Sequence, residues 1–322
     1  MWRATFQPFY GSVLPALRKL LLLSPFLLAV SAGGCNAPPG VQDTPTSGSV
    51  HIAADMSLYP ALQPVLEQFH RTYPNAHIEI TYTTEKQAVE GLLADSFRVV
   101  IITRPFTKAE SLALTEQRIR PKQTRIAREG IAVIGYPFRQ DSLLSVDTLV
   151  KWLLDRKSPY TFVIEGGAGS GIYRYLIDTL LRGRKPEATL YRADSIGKII
   201  QYVQQNPRAI GLIGVAWVCD REDSTTQKFL RSVRLFALQA ARGDKAYYYP
   251  YAGYLRPGFY PLSRDVYALS REPRVGLGSG FVSYLAGPDG QRILLKSGLL
   301  PAIAPVRIVE LKEENIFQKQ RE

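Results

Sequence analysis

A chain of 322 residues is longer than one small core requires and suits two lobes of ordinary domain size, each with its own apolar centre. With 46% hydrophobic residues, 21% charged residues and no long polar or Gly/Ser tract, it falls outside the disordered and fibrous classes. The formal charge of +12 weakly favours anionic partners, while Lys and Arg are scattered along the chain, which argues against nucleic acid.

The first 34 residues carry Arg3, Arg18 and Lys19 and no acid, followed by an apolar run from Leu20 to Val30 and the small residues Ser31-Ala32-Gly33-Gly34 before Cys35. The run is too short to cross a ~30 Å hydrocarbon layer as a helix, and the residues after it suit a signal peptidase. Residues 1–34 are therefore expected to be a lipoprotein signal peptide. Ala32-Gly33-Gly34-Cys35 resembles a bacterial lipobox, which implies acylation of Cys35, cleavage just before it and a mature chain tied to a bilayer by lipid. Removing three positive charges leaves 12 − 3 = +9. Residues 35–48, with Pro38, Pro39 and Pro45 and almost no apolar content, read as a flexible tether.

From Val50 a short strand leads to Asp55-Met56-Ser57, and Leu58, Leu62, Val65, Leu66 and Phe69 then recur at helical spacing. A strand at Ile78–Tyr82, a helix near Ala88–Asp95 and a strand Val99–Ile102 complete a β-α-β-α-β order, the signature of a mostly parallel sheet. A second unit follows, with a strand Ile131–Tyr136, a helix Ser145–Leu154, a strand Thr161–Ile164, a Gly-rich loop and a helix from about Ile172 to Leu181. The apolar run Ile210–Val218 reads as a further strand, with Cys219 beside it as a small buried hydrophobe. An aromatic segment from Tyr247 to Tyr260, read as hinge packing or an exposed contact surface, precedes a strand Val266–Leu269. A helical region around Phe281–Ser297 follows, and the charged tail 311–322 is expected to fray.

Three strand-to-helix junctions collect small and hydroxyl residues, namely Asp55-Met56-Ser57, Thr103-Arg104-Pro105 and Gly166 to Gly171. In open α/β sheets such junctions lie beyond the carboxyl ends of the strands, where ligands bind. Helix starts present unpaired N–H groups and partial positive charge, so they suit an anion, and Gly169 and Gly171 allow close backbone approach. Ser57 and Ser170 are equally the residues of a simple helix cap, and Arg104 equally an ion-pair partner. The glycine cluster lacks the Gly-Lys-Ser/Thr ending of a phosphate-binding loop. Catalysis finds no footing. His51, His70 and His77 have no metal-ligand spacing, and Gly169-Ser170-Gly171 is not set in a nucleophile elbow. No cofactor and no metal are expected.

Several short runs, taken in order, resemble the phosphate-binding proteins of ABC transporters, in particular a lipoprotein branch common in Bacteroidetes. They are Ala53 to Pro60, Ile101 to Pro105, Arg128 to Ile134, Gly169 to Tyr175, Ala209 to Gly214, Tyr260 to Arg264 and Gly290 to Gly298. The resemblance implies a two-lobed type 2 periplasmic-binding-protein fold, each lobe a mostly parallel α/β sheet flanked by helices. It places lobe I in 49–130 and 265–310 and lobe II in 131–264. It also implies a ligand site at Asp55, Met56, Ser57, Thr103, Arg104, Gly169, Ser170 and Gly171. The family's aspartate before the third strand falls at Arg98 or Val99, the arginine ahead of its Ser-Gly-Thr loop is missing, and that threonine is Ile172. Asp55 is expected to take over the acceptor role toward protonated phosphate, which fully ionised sulfate fails.

The expected protein is thus a lipid-anchored monomer at the cell envelope that captures phosphate, or another oxyanion such as molybdate or sulfate, for an ABC permease. The competing expectation is an interaction or adhesion lipoprotein that kept the fold and lost the ligand. A filled cleft would favour it.

Overall fold

The computed structural model describes residues 43–219, 224–240 and 245–303, which belong to one compact unit. The signal peptide, Cys35 and the charged tail lie outside the described residues.

The chain opens with β1 (Gly48–Asp55), a 3-10 turn (Met56–Leu58) and α1 (Tyr59–Thr72). The buried residues of α1, Ala61, Leu62, Val65, Leu66 and Phe69, repeat at helical spacing and give it one apolar face. Next come β2 (Ala76–Thr83), α2 (Glu85–Leu93), β3 (Val99–Ile102), α3 (Lys108–Glu116) and β4 (Lys122–Gly135). The middle of the chain supplies β5 (Leu143–Leu144), α4 (Val146–Leu154), β6 (Thr161–Glu165) and α5 (Gly171–Tyr175), which continues as a π turn over Leu176–Leu180. Then follow β7 (Leu190–Ala193), α6 (Ile196–Gln205), β8 (Ala209–Gly214), α7 (Ala216–Cys219), α8 (Ser224–Ser232), β9 (Arg234–Leu235), β10 (Ala237–Gln239) and β11 (Tyr247–Tyr248). The chain returns through β12 (Ser263–Ser270) to α9 (Leu277–Ala286), α10 (Pro288–Lys296) and β13 (Leu300–Pro301).

The long strand β4 joins two sheets. Its first part pairs with β12, beyond which lie β3, β1 and β2, while its last part pairs with β8, beyond which lie β6 and β7. Within the first sheet β1 pairs parallel to both β2 and β3, and within the second β6 pairs parallel to both β7 and β8. The changeover falls where Gly130 faces Ser263, and the Ile131 N–H donates to the Leu262 carbonyl. Tyr260, wholly buried, donates its hydroxyl to the Ile131 carbonyl at 2.7 Å, so this one tyrosine of the aromatic segment packs at the crossing. Tyr247, Tyr254 and Phe259 stay exposed. The runs in β3, β6 and β8 are buried almost throughout, as strands covered by helices on both faces require.

The structure differs from the sequence expectations in places. The run Ile210–Val218 leaves the sheet at Gly214 and turns into α7, so Cys219 is only half-buried on a short helix, its Sγ 3.7 Å from the Pro250 carbonyl. The strand expected from Ile131 begins nine positions earlier, at Lys122, because its polar first part is paired with β12 on one side. The tether ends sooner than expected. Asp43 accepts the Leu277 N–H at 2.8 Å, and Gly48 already belongs to β1.

Candidate functional site

The carboxyl ends of β1, β3 and β6 and the changeover in β4 meet at one buried point. Asp55, the last residue of β1, is 0% exposed and caps the 3-10 turn that follows it. Its Oδ1 accepts the Ser57 N–H at 3.0 Å and the Ser57 hydroxyl at 2.5 Å. Its Oδ2 accepts the Gly171 N–H at 3.0 Å, across from the other sheet. Gly171 is required there by space. A Cβ would stand 2.6 Å from Thr103 Oγ1, 2.8 Å from Glu85 Oε2 and 2.9 Å from Arg264 Nη1.

Arg264, on β12, lies directly opposite Glu129 on β4. Its Nε and Nη2 donate to Glu129 Oε2 at 3.0 and 2.7 Å, its Nη2 also to Ser57 Oγ at 2.8 Å, and its Nη1 to Thr103 Oγ1 at 3.1 Å. One guanidinium therefore gathers the first two junctions and the crossing strand. Both members of the Arg264–Glu129 pair are buried, so removing either would leave an uncompensated charge.

A second node forms around Glu85, at the start of α2. Its carboxylate accepts the Thr103 N–H at 3.2 Å and hydroxyl at 2.8 Å, Arg104 Nε at 3.2 Å and Arg174 Nε at 2.5 Å. Burial works to raise the Glu85 carboxyl, but the charge and hydrogen bonds of Arg174, with Thr103 and Arg104, hold it below the usual range. Arg104 also grips Glu110 through two 2.7 Å bonds. Glu110 is placed for this by the capping box of α3, in which it accepts the Thr107 N–H while the Thr107 hydroxyl accepts the Glu110 N–H. A cavity of about 320 Å³ opens beside this node, lined in part by Glu85, Arg104, Ser170 and Arg174.

The cluster is rich in acid. Burial pushes the Glu129 carboxyl up to about 7, with Arg264 pulling against the rise and Asp55 adding to it. Burial, with the nearby Asp55 and Glu129, likewise pushes Glu165 up to about 7. Glu129 Oε1 and Glu165 Oε2 have no hydrogen-bond partner among the described residues. Buried acceptors of this kind are costly to leave empty, and each is met by a bound proton or by a donor brought from outside.

The structure brings Asp55, Ser57, Thr103 and Gly171 together at this point. Ser170 sits at its edge, with its hydroxyl used in capping: it donates to the Gly167 carbonyl at 2.9 Å and accepts the Tyr173 N–H at 3.2 Å. Arg104 serves the Glu85 node, Met56 approaches Gly166 through its sulfur, and Gly169 faces Thr84 and Lys86. Sequence reasoning did not single out Glu85, Glu129, Glu165, Arg174 or Arg264 as site residues. Glu129, Arg174 and Arg264 stood in the motifs quoted above, but Glu129 and Arg264 fell outside the strands expected there; a charged residue inside a sheet strand is the signal that could have found those two.

A search of curated proteins finds no match. Among solved structures, the chain is similar to a protein from Clostridium perfringens assigned as a phosphate ABC transporter substrate-binding protein and solved with phosphate bound. The two share 20% identity over 80% of this chain and 100% of that one, with a TM-score of 0.63. An ABC-type phosphate transport receptor from Vibrio cholerae matches at 14% identity, 79% and 100% coverage and a TM-score of 0.56. The CcmR regulatory domain of Synechocystis, in complex with 2-PG, matches at 13% identity, 74% and 96% coverage and a TM-score of 0.52. At these identities the likeness establishes the fold, that of type 2 periplasmic binding proteins, which serves transport and regulation alike. Residues 39–289 match the family model of the PBP superfamily domain, and the chain belongs to that family.

Proposed function

We propose that the chain is an extracytoplasmic solute-binding protein, lipid-anchored through Cys35, that captures phosphate or a related oxyanion between two lobes and presents it to an ABC permease. Residues 1–34 act as the signal peptide in this reading, with 49–130 and 265–310 as one lobe and 131–264 as the other. The observation that carries it is the Asp55 carboxylate, which is served by three donors, two from Ser57 and one from Gly171 of the opposite sheet. Those donors are aimed at an anionic oxygen, and a guest oxyanion bearing a proton can share them while donating to Asp55. Each hydrogen bond to a charged group contributes about 1.5–3 kcal/mol net, and micromolar affinity needs about 8 kcal/mol, so a handful suffices.

Titration calorimetry on residues 36–322 with phosphate, sulfate, molybdate and tungstate tests the reading. Heat with phosphate at micromolar concentration is expected, and silence with all four at millimolar concentration would overturn it. One observation favours the interaction lipoprotein instead: Thr103 and Arg104, both expected to hold the ligand, are already engaged by the Glu85 carboxylate. Silence in the titration would favour that second reading.

A further inference from the structure

The parallel strands β6, β7 and β8 start at one edge of the second sheet, and the antiparallel β4 ends there, on the side away from the buried cluster. The loops at this edge carry Arg156 and Lys157 before β6, Arg182, Arg184 and Lys185 before β7, and Arg208 before β8. Backbone bonds tie these loops into one surface. The Glu187 and Ala188 N–H groups donate to the Leu153 carbonyl at 2.9 and 3.1 Å, Phe162 N–H to the Thr189 carbonyl at 2.8 Å, and Thr161 N–H to the Arg208 carbonyl at 2.9 Å.

All six cations are exposed, and none is in an ion pair with a described residue. The acids at the same edge are Asp141, Asp155 and Glu187. Residues 131–262 as a whole hold 18 Lys and Arg against 11 Asp and Glu, 18 − 11 = +7. Residues 49–130 and 263–303 together hold 15 against 12, 15 − 12 = +3. Phe138, in the loop after β4, is 81% exposed, with only the Tyr136 ring beside it at 5.6 Å.

We propose that this pole docks on a bilayer surface bearing anionic phospholipid headgroups, with the cations over the phosphates and Phe138 entering the interface. Three loops contributing one to three cations each form an array, which matches a spread of headgroup charge better than a single ligand does. Long cationic stems with an exposed aromatic ring at the same edge suit the boundary between water and acyl chains. The docking is a property of the folded unit and does not depend on acylation of Cys35 or on the oxyanion reading.

The test is co-sedimentation of residues 36–322, which contain the whole compact unit, with vesicles of phosphatidylcholine alone or mixed with phosphatidylglycerol. Binding is expected only to the mixed vesicles, weakening as salt rises. Each cation near such a surface contributes about a fivefold change in partition, so the variant Arg156→Glu/Lys157→Glu/Arg184→Glu/Lys185→Glu should lose on the order of a hundredfold or more. The two double variants, Arg156→Glu/Lys157→Glu and Arg184→Glu/Lys185→Glu, should each lose about twentyfold, which keeps the reading available if the quadruple variant fails to fold. Phe138→Ser should weaken binding several-fold without changing the salt dependence. Equal binding to neutral vesicles, no binding to anionic ones, or full binding by the charge-reversed variants would overturn the proposal. Retention on an acidic polysaccharide without vesicle binding would do the same.

Discussion

At the inner end of the second sheet Glu165 sits buried near Asp55 and Glu129, while at its outer end Arg156, Lys157, Arg184 and Lys185 are exposed and form no ion pair among the described residues. At the inner end Asp55, Glu85 and Arg264 are each held by several directed hydrogen bonds that replace lost hydration, while Glu129 and Glu165 each keep one oxygen without a partner among the described residues. At the outer end solvent screens the charges, no carboxylate fixes them among the described residues although Arg184 Nε donates to the Leu181 carbonyl, and a substitution is cheap for the fold. Stability and selectivity should therefore respond to the inner end, and salt-dependent association to the outer one.

The sharpest way to break this contrast is Arg264→Ala. It strips Glu129, Ser57 and Thr103 of a shared donor and should cost about 3–5 kcal/mol, read from denaturant midpoints. Arg264→Met/Glu129→Gln should recover part of that loss, since both charges leave together. A single variant as stable as the parent would show that the cluster is not the rigid end of the molecule.

Glu165→Gln probes the same end with the opposite sign. Its folded carboxyl lies at about 7 against an ordinary value of 4.5, so the folded chain binds the proton more tightly than the unfolded one. That contribution to stability is complete below pH about 4.5 and lost as pH rises through about 7. The variant should match the parent near pH 4 and exceed it by up to about 3 kcal/mol near pH 8, measured as thermal or chemical denaturation across pH. No gain at pH 8 would mean that the orphaned oxygen finds a partner in solution. The smallest expected effect is that of Ser170→Ala, about 1 kcal/mol of stability from the lost cap of α5. A larger loss of oxyanion affinity than of stability would move Ser170 from capping to contact.

Much of the architecture was legible along the chain, because its signals are local. The apolar face of α1 and the all-apolar β3 follow from side-chain spacing, and the three junctions were marked by short polar residues at strand ends. The strand β7 escaped because the exposed Tyr191 and Arg192 give it no apolar run, while α6 went unread although its buried Ile199 and Val203 lie at helical spacing. The junction residues did converge, yet their partners were hidden. Asp55 meets a backbone N–H 116 positions away, and Arg264 reaches a serine 207 positions away.

Residue order alone dictated the strand and helix periods, the polar junctions and the excess of positive charge, because these depend on neighbours within a few positions. Only the folded chain decided that four carboxylates would gather in one buried cluster with Arg264 and Arg174, and that cations scattered in sequence would collect on one pole. Burial and the parallel alignment of β6, β7 and β8 bring distant loops and strand ends to common edges, and no local pattern records which edge a residue will share.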